Sequence, residues 1–480
     1  MREPPHLFPA RMAQVHGRPP ARRRASTGRR MTFSSLDSRL TGQLFASREM
    51  AAAFSDRARI AAMLQVEAAL ARAQAALGLA PEALAAAIES VDPESLDLED
   101  LGRQTAQAGV PTIPFVKAVQ AHLPPELERS FHRGATTQDV IDTALVLQVR
   151  SALDLVAADL DAILDGLSRL ADAHRTTPCV GRTYGQHAAP VTFGFKAAAW
   201  LTGIAEAAAR LPWLRRRLLV ASLGGPVGTL AAMGGQGPAV LEGFARELRL
   251  GSPPMAWHAL RGRVAEAGSW LAILIGALAK MAADVAHLAT TEVGEVAEPH
   301  VPGRGGSSAM PHKRNPVSST IILAAHAAAK SHAVTLIDAM AAAHERPAGL
   351  WHGEWHALPQ LFGLASGALR EARALAEGLV VDRERMRRNL DATGGLLFAD
   401  AAAARLAGAL GRQDAHHLVE RAAETVRETG ESLQSVLARL TPHPTADAFD
   451  LGPAVAAAAQ WVDRALAEAA AVRESLKTER

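Results

Sequence analysis

Residues 264–291 read VAEAGSWLAILIGALAKMAADVAHLATT. Alanine, the strongest helix former, is interleaved here with leucine and a few charged residues, with no proline to interrupt them, so the stretch predicts one long helix. Four further segments share its Ala/Leu-rich character: 140–174, 191–219, 316–344 and 359–375. Five such helices can bury their apolar faces only against one another, as an elongated bundle. No segment alternates with period two, so strand is expected at most as a minor ribbon, and the fold class is all-α.

Working outward, Ile60, Met63, Leu64, Val66, Leu70 and Leu77 recur near helical spacing before the pattern stops at Gly78. Breaks follow at Pro111 and Pro114, and this unit closes near Pro124 and Pro125. Beyond the bundle, shorter helical stretches are punctuated by Gly394, Gly395, Gly411, Pro442 and Pro444. Three helical domains are therefore expected, at 31–130, 131–375 and 376–480, after a basic and disordered extension at 1–30.

That extension dominates the charge. It holds Arg2, Arg11, Arg18, Arg22, Arg23, Arg24, Arg29 and Arg30 against Glu3, in a chain whose formal net charge is +2. Without it the chain is mildly acidic, which removes the compositional case for nucleic-acid binding. It lacks the apolar centre of a secretory signal. Cys179 is the single cysteine, so no intrachain disulfide forms, and it reads as a small buried hydrophobe. No apolar run is expected to reach the roughly 20 residues that span a membrane. A cytoplasmic protein is the expectation.

Three polar clusters interrupt the helical pattern: 131–139 (FHRGATTQD), 181–187 (GRTYGQH) and 305–316 (GGSSAMPHKRNP). Each is expected just before a long helix, where free backbone N–H groups and the positive end of the helix dipole favour anions. The alternative for the first is helix capping by Thr136, Thr137 or Asp139. In the third, glycines let the backbone approach a ligand and two prolines stiffen the loop. Lys313 and Asn315 can hold a carboxylate while a serine works at the neighbouring carbon. A serine needs its proton removed or its oxyanion stabilised. No Gly-x-Ser-x-Gly turn supports a hydrolase. The pairs His416/His417 and His352/His356 lack the ligand spacing of a metal site, so neither metal nor cofactor is expected. The run 224–228 (GGPVG) lacks the lysine of a phosphate loop and reads as packing a bend or turn.

The third cluster resembles the Gly-Ser-Ser-x-Met-Pro-x-Lys-x-Asn signature of the fumarase/aspartase superfamily, and the first two fall in the order expected of it. The resemblance implies three helical domains with a central five-helix bundle. It also implies a homotetramer whose sites draw on three subunits. Ser307 is implied as the proton-transferring base, with Lys313 and Asn315 stabilising the doubly charged carboxylate that results. Thr136, Thr137 and Gln186 are implied to bind substrate carboxylates, with His132, Arg133, Tyr184, Ser308, Met310 and Arg346 also around the substrate.

Adenylosuccinate and argininosuccinate lyases carry a histidine where Tyr184 stands and a glutamate where Thr320 stands. Such an acid matters when a basic amine or alkoxide leaves, whereas a carboxylate leaves unaided. Segments such as 344–346 (HER), 349–355 (GLWHGEW) and 386–391 (MRRNLD) resemble the bacterial 3-carboxy-cis,cis-muconate cycloisomerases of protocatechuate breakdown. This branch implies reversible lactonisation to 4-carboxymuconolactone. Tyr184-Gly185, where relatives have Trp-Leu, and Gly262, where they have an acid, leave room for another substrate. A nitrosuccinate lyase releasing nitrite fits the missing acid equally. Amine-releasing succinyl lyases and a non-catalytic scaffold are the further alternatives.

Overall fold

The computed structural model describes residues 33–478. The basic extension expected at 1–30 lies outside the described residues. The fold is all-α, built on five long helices: α1 (Thr137–Ala173), α2 (Phe193–Ala208), α3 (Gly262–Leu288), α4 (Val317–Asp338) and α5 (Leu350–Gly378). They form the expected bundle, with α1 packed on α2 and α5, and α3 and α4 on each other and on α5. The C-terminal helix Gly452–Thr478 lies along α2 and α1. The core is almost wholly apolar, with Leu160, Ile163, Leu164, Leu271, Leu274 and Leu361 fully buried. Cys179 is buried in it, and burial pushes its thiol up to about 12.

Two further apolar clusters are separate from this core. One joins the helix Asp56–Ala75 to Val140 and Leu147 of α1 and to Val240 and Phe244 of the helix Gly237–Glu247. Another lies within 402–448.

Three expected helix spans are wrong, and the one expected over 316–344 stops as α4 at Asp338, six residues early. α5 begins at Leu350 and carries Pro359 inside it, nine residues after its start. Gly349, at φ 84°, supplies the true helix start, and burial along the whole face of α5 outweighs the backbone bond that the proline removes. The segment expected as one helix over 191–219 begins as strand to Thr192 and breaks at Ala209 and Arg210 before Pro212. By length and composition α3 and α4 could each cross a membrane, contrary to the expectation from sequence. Here they are bundle helices, with half of the apolar window of α3 and a third of that of α4 buried. Ile273, Val334 and Ile337 on these helices, and Met340 just past the end of α4, remain about half exposed.

The direction of each helix fixes where the polar clusters fall. Arg261 and Trp351, at the starts of α3 and α5, both bond Asp142 near the start of α1. Gly166 near the end of α1 packs on Ala376 near the end of α5. These three helices therefore run parallel, and α1, at 37 residues, is about 55 Å long.

Candidate active site

The first cluster sits at the start of α1. Thr136 is the N-cap, and the Asp139 carboxylate accepts its backbone N–H at 2.9 Å, so the capping alternative is part of what the cluster does. Asp139 is itself buried. It also accepts the N–H groups of Gly224 at 2.7 Å and Gly225 at 2.9 Å, and lies 2.6 Å from His258 Nε2. The run 224–228 is thus a loop wrapped on a carboxylate. Gly225 has φ 68°, and a Cβ there would lie 2.9 Å from the Gly134 carbonyl, so a side chain is excluded twice.

Arg346 joins this end from 210 residues away. Its Nε donates to Gln138 Oε1 at 3.0 Å and its Nη2 to the Pro226 carbonyl at 3.2 Å and, at 3.5 Å, to the Thr136 hydroxyl. Gln138 is held in turn by donating to Asp142 at 3.1 Å and to the His258 carbonyl at 2.9 Å. Asp142 is gripped by the fully buried Arg261 (2.7 and 3.1 Å) and by the Trp351 indole at 2.9 Å. The same guanidinium binds both oxygens of Glu354. Burial opposes the Arg261 charge, yet Asp142 and Glu354 hold its pKa above the ordinary arginine value. Burial pushes the Glu354 carboxyl up against the pull of that guanidinium. His132 lies 2.6 Å from the buried Glu67, whose charge raises the imidazole pKa even though burial works against it. Arg133 is close by and exposed, its carbonyl tied to Gln74 at 2.7 Å.

The second cluster does not precede a helix directly. It forms the turn of a hairpin between β1 (Pro178–Thr183) and β2 (Gln186–Thr192), with Thr183 paired to Gln186. Tyr184 and Gly185 are the two central residues, at φ 52° and 77°, the backbone signs of a tight I′ turn. The Tyr184 side chain projects fully into solvent, and Gln186 is exposed beside it. Arg182 anchors the hairpin by a two-point ion pair to the buried Glu295 (2.6 and 3.1 Å), which also accepts from Asn389 at 2.8 Å.

The serine loop is rooted on the same side. It lies between β3 (Val296–Ala297), paired with β4 (Val380–Val381), and α4. Its neck is a small antiparallel contact of Gly306 with Arg314, and Asn315 N–H donates to the Gly305 carbonyl at 2.8 Å. Gly305 has φ 71°, and a Cβ would stand 2.7 Å from the Asn315 carbonyl, so the neck closes only with glycine there. Ser307 Oγ accepts the N–H groups of Ala309 (3.3 Å) and Met310 (3.1 Å), which orients its hydroxyl within the turn. Ser308, Met310, Lys313 and Asn315 are exposed. Glu298 caps α4 through the N–H groups of Ser318 and Ser319 at 2.9 and 2.8 Å. Arg304 and the Ser318 hydroxyl meet at Glu371. The cavity beneath, lined by Glu298, His300, Arg304 and Asn315, is only about 130 Å³.

Within one chain these groups do not converge. The hairpin leaves the far end of α1, where Gly194 N–H donates to the His174 carbonyl at 2.9 Å. The Thr136–Arg346 group and the Gln186 and Ser307 groups therefore stand at opposite ends of a helix about 55 Å long. Sequence reading took Asp139 only as a possible cap and missed the buried carboxylates Asp142, Glu295, Glu354 and Glu371, with the half-buried Glu298, that hold both ends. The acid run 292–298 (EVGEVAE), unusual between two Ala-rich helices, was a signal for two of them.

A lyase family model matches residues 45–329. The chain is 46% identical over 435 residues to a 3-carboxy-cis,cis-muconate cycloisomerase of Pseudomonas aeruginosa, covering 88% of this chain and 95% of that one. It is 44% identical over 450 residues to a nitrosuccinate lyase of Streptomyces davaonensis, covering 90% and 95%. The crystal structure of a 3-carboxy-cis,cis-muconate lactonizing enzyme from Pseudomonas putida superposes with a TM-score of 0.86 at 44% identity, covering 91% of this chain and all of that one.

Proposed function

This chain belongs to the fumarase/aspartase lyase superfamily, and from that premise we propose that it is a 3-carboxy-cis,cis-muconate cycloisomerase. One carboxylate of the substrate adds to a diene carbon, forming a C–O bond. The π electrons move to the carbon α to a neighbouring carboxylate, which becomes a doubly charged enediolate. Lys313 and Asn315 stabilise that charge, and Ser307 delivers the proton that completes the new C–H bond. In reverse Ser307 is the base. Thr136, Thr137, Gln186 and Arg346 hold the substrate carboxylates, with His132, Arg133, Tyr184, Ser308 and Met310 around them.

The observation that carries this reading is the missing acid. Tyr184 stands at the tip of the hairpin, and the Thr320 hydroxyl is spent on the Pro316 carbonyl at 2.8 Å. Neither offers a histidine–carboxylate pair, so the group that attacks or leaves must be stable as an anion. A nitrosuccinate lyase satisfies the same condition, and the similarity to one at 44% identity makes it the second reading.

The separation of the two ends supports a homotetramer in which each site combines the Thr136 end of one copy with the hairpin and serine loop of others. The half-exposed apolar faces of α3 and α4 are then covered by neighbouring copies. We place this assembly in the cytoplasm. Purified protein is expected to bleach the diene absorbance of 3-carboxy-cis,cis-muconate without added metal or nucleotide. Unchanged absorbance beside rapid fumarate release from nitrosuccinate would transfer the assignment to the second reading.

A further inference from the structure

A cavity of about 310 Å³ opens between α5 and the first described helices, and its Trp355 wall touches Trp351, which bonds Asp142 beneath the Thr136 end. Its walls are Leu36 and Asp37, Met50 and Phe54, Arg59, and the turn of α5 from Trp355 to Gly363. The Ala53 carbonyl next to it accepts from Gln148, which is twelve residues along α1 from Thr136, or about 18 Å.

Arg59 is the unusual group. It is partly buried, and burial lowers its pKa, with only the neighbouring charge of Asp56 acting to raise it. Among the described residues nothing accepts a hydrogen bond from its guanidinium. Arg57, two residues earlier, is by contrast fully engaged with the Pro93 and Leu96 carbonyls and with Glu94. A partly desolvated cation with no protein acceptor, lining a cavity, favours an anion inside. One further donor lines the same space: Gln360 uses its Oε1 on the Ser34 hydroxyl at 3.0 Å, which leaves its amide nitrogen to donate. Beside His356 the wall carries Phe54, near Phe362 at 5.4 Å, and Pro359. Asp37, also in the wall, disfavours a dianion.

We propose that this cavity is a second small-molecule site that takes a flat, unsaturated or aromatic monocarboxylate. The carboxylate sits on the Arg59 fork, with Gln360 as an additional donor, and the body lies against Phe54 and Pro359.

Calorimetric titration with benzoate tests this on the full-length protein. Wild-type protein is expected to bind one benzoate per chain. Arg59→Met should weaken binding more than about tenfold, because it removes the charged fork, while turnover of the reaction-site substrate persists. Arg346→Ala, at the reaction site, should leave benzoate binding intact. If Arg59→Met fails to fold, Arg59→Lys keeps the charge without the fork and should still weaken binding. No heat with wild-type protein, unchanged affinity in the Arg59 variants, or loss of binding in Arg346→Ala each overturns the proposal. Binding is read directly, so the outcome is independent of which substrate the reaction site turns over.

Discussion

At the Thr136 end of the bundle, charged groups are buried and tied together across long stretches of sequence: Asp139 to the 224–225 loop, Asp142 to Arg261, and Arg261 to Glu354. At the other end the groups assigned to proton transfer and charge stabilisation stand on an exposed loop, closed at its neck by backbone bonds through Gly305 and Gly306. The first end is set before any ligand arrives, because Asp139, Asp142 and Glu354 are already held by protein donors. The second has its roots fixed, by Glu298, Glu371 and Glu295, but its tip has few side-chain bonds. A site that combines them would pair a tightly bonded floor with an exposed loop.

The sharpest break of this comparison comes from the loop. Ser307→Ala is expected to lower kcat by about 10²- to 10⁴-fold, the usual share of a positioned acid or base, while the melting temperature and assembly stay unchanged. Full activity in that variant removes Ser307 from the mechanism. The matching change at the rigid end acts on stability instead. Arg261→Met leaves Asp142 and Glu354 buried together without their cation, so unfolding in urea should show a loss of about 3–5 kcal/mol. A loss below about 1 kcal/mol would mean that water or a neighbouring group compensates, and the rigid floor would not depend on this link.

The division between the ends can be tested by mixing. Ser307→Ala and Arg346→Ala are each expected to be inactive, since each damages one end of every site. Reassembled one to one, a shared site has a roughly one-in-four chance of drawing intact residues from both copies, so about a quarter of wild-type turnover should return. Turnover that stays at zero in a demonstrated mixed assembly would place both residues in the same chain's site, against the opposite-end geometry.

How much of this was legible in the sequence differs between the two ends. The serine loop announced itself, because glycines, prolines and polar groups cannot be accommodated in the Ala-rich helices around them. Thr136 was legible as a cap for the same local reason. The floor beneath it was not, since Arg261 reaches Asp142 across 119 residues and Glu354 across 93, and no local pattern marks such partners. Tyr184-Gly185 at the tip of a hairpin was readable as a two-residue turn, but flanking helices masked the short strands. The separation of Thr136 from Gln186 was also within reach. A 37-residue helix lies between the first cluster and the second, and a straight helix of that length cannot bring its ends together.

The smallest expected effect concerns the edge of the rigid end, where His132 meets Glu67. The Glu67 charge lifts the His132 pKa above its ordinary value despite burial, so protonation favours the folded state. That contribution is complete below the unfolded histidine value of about 6.5 and is lost as pH rises through the higher folded value. His174 and His187 shift the opposite way, lowered chiefly by burial, and stabilise the fold increasingly as pH rises. The whole-protein curve therefore mixes opposing slopes, and only a difference isolates the pair. Glu67→Gln removes the charge that lifts His132 and keeps a hydrogen-bonding side chain in place. Urea midpoints measured from pH 6 to pH 9 should show wild-type protein losing its advantage over Glu67→Gln as pH increases. Parallel curves would show that His132 is neutral in the folded protein throughout that range, and its contact with Glu67 would then be a neutral hydrogen bond rather than an ion pair.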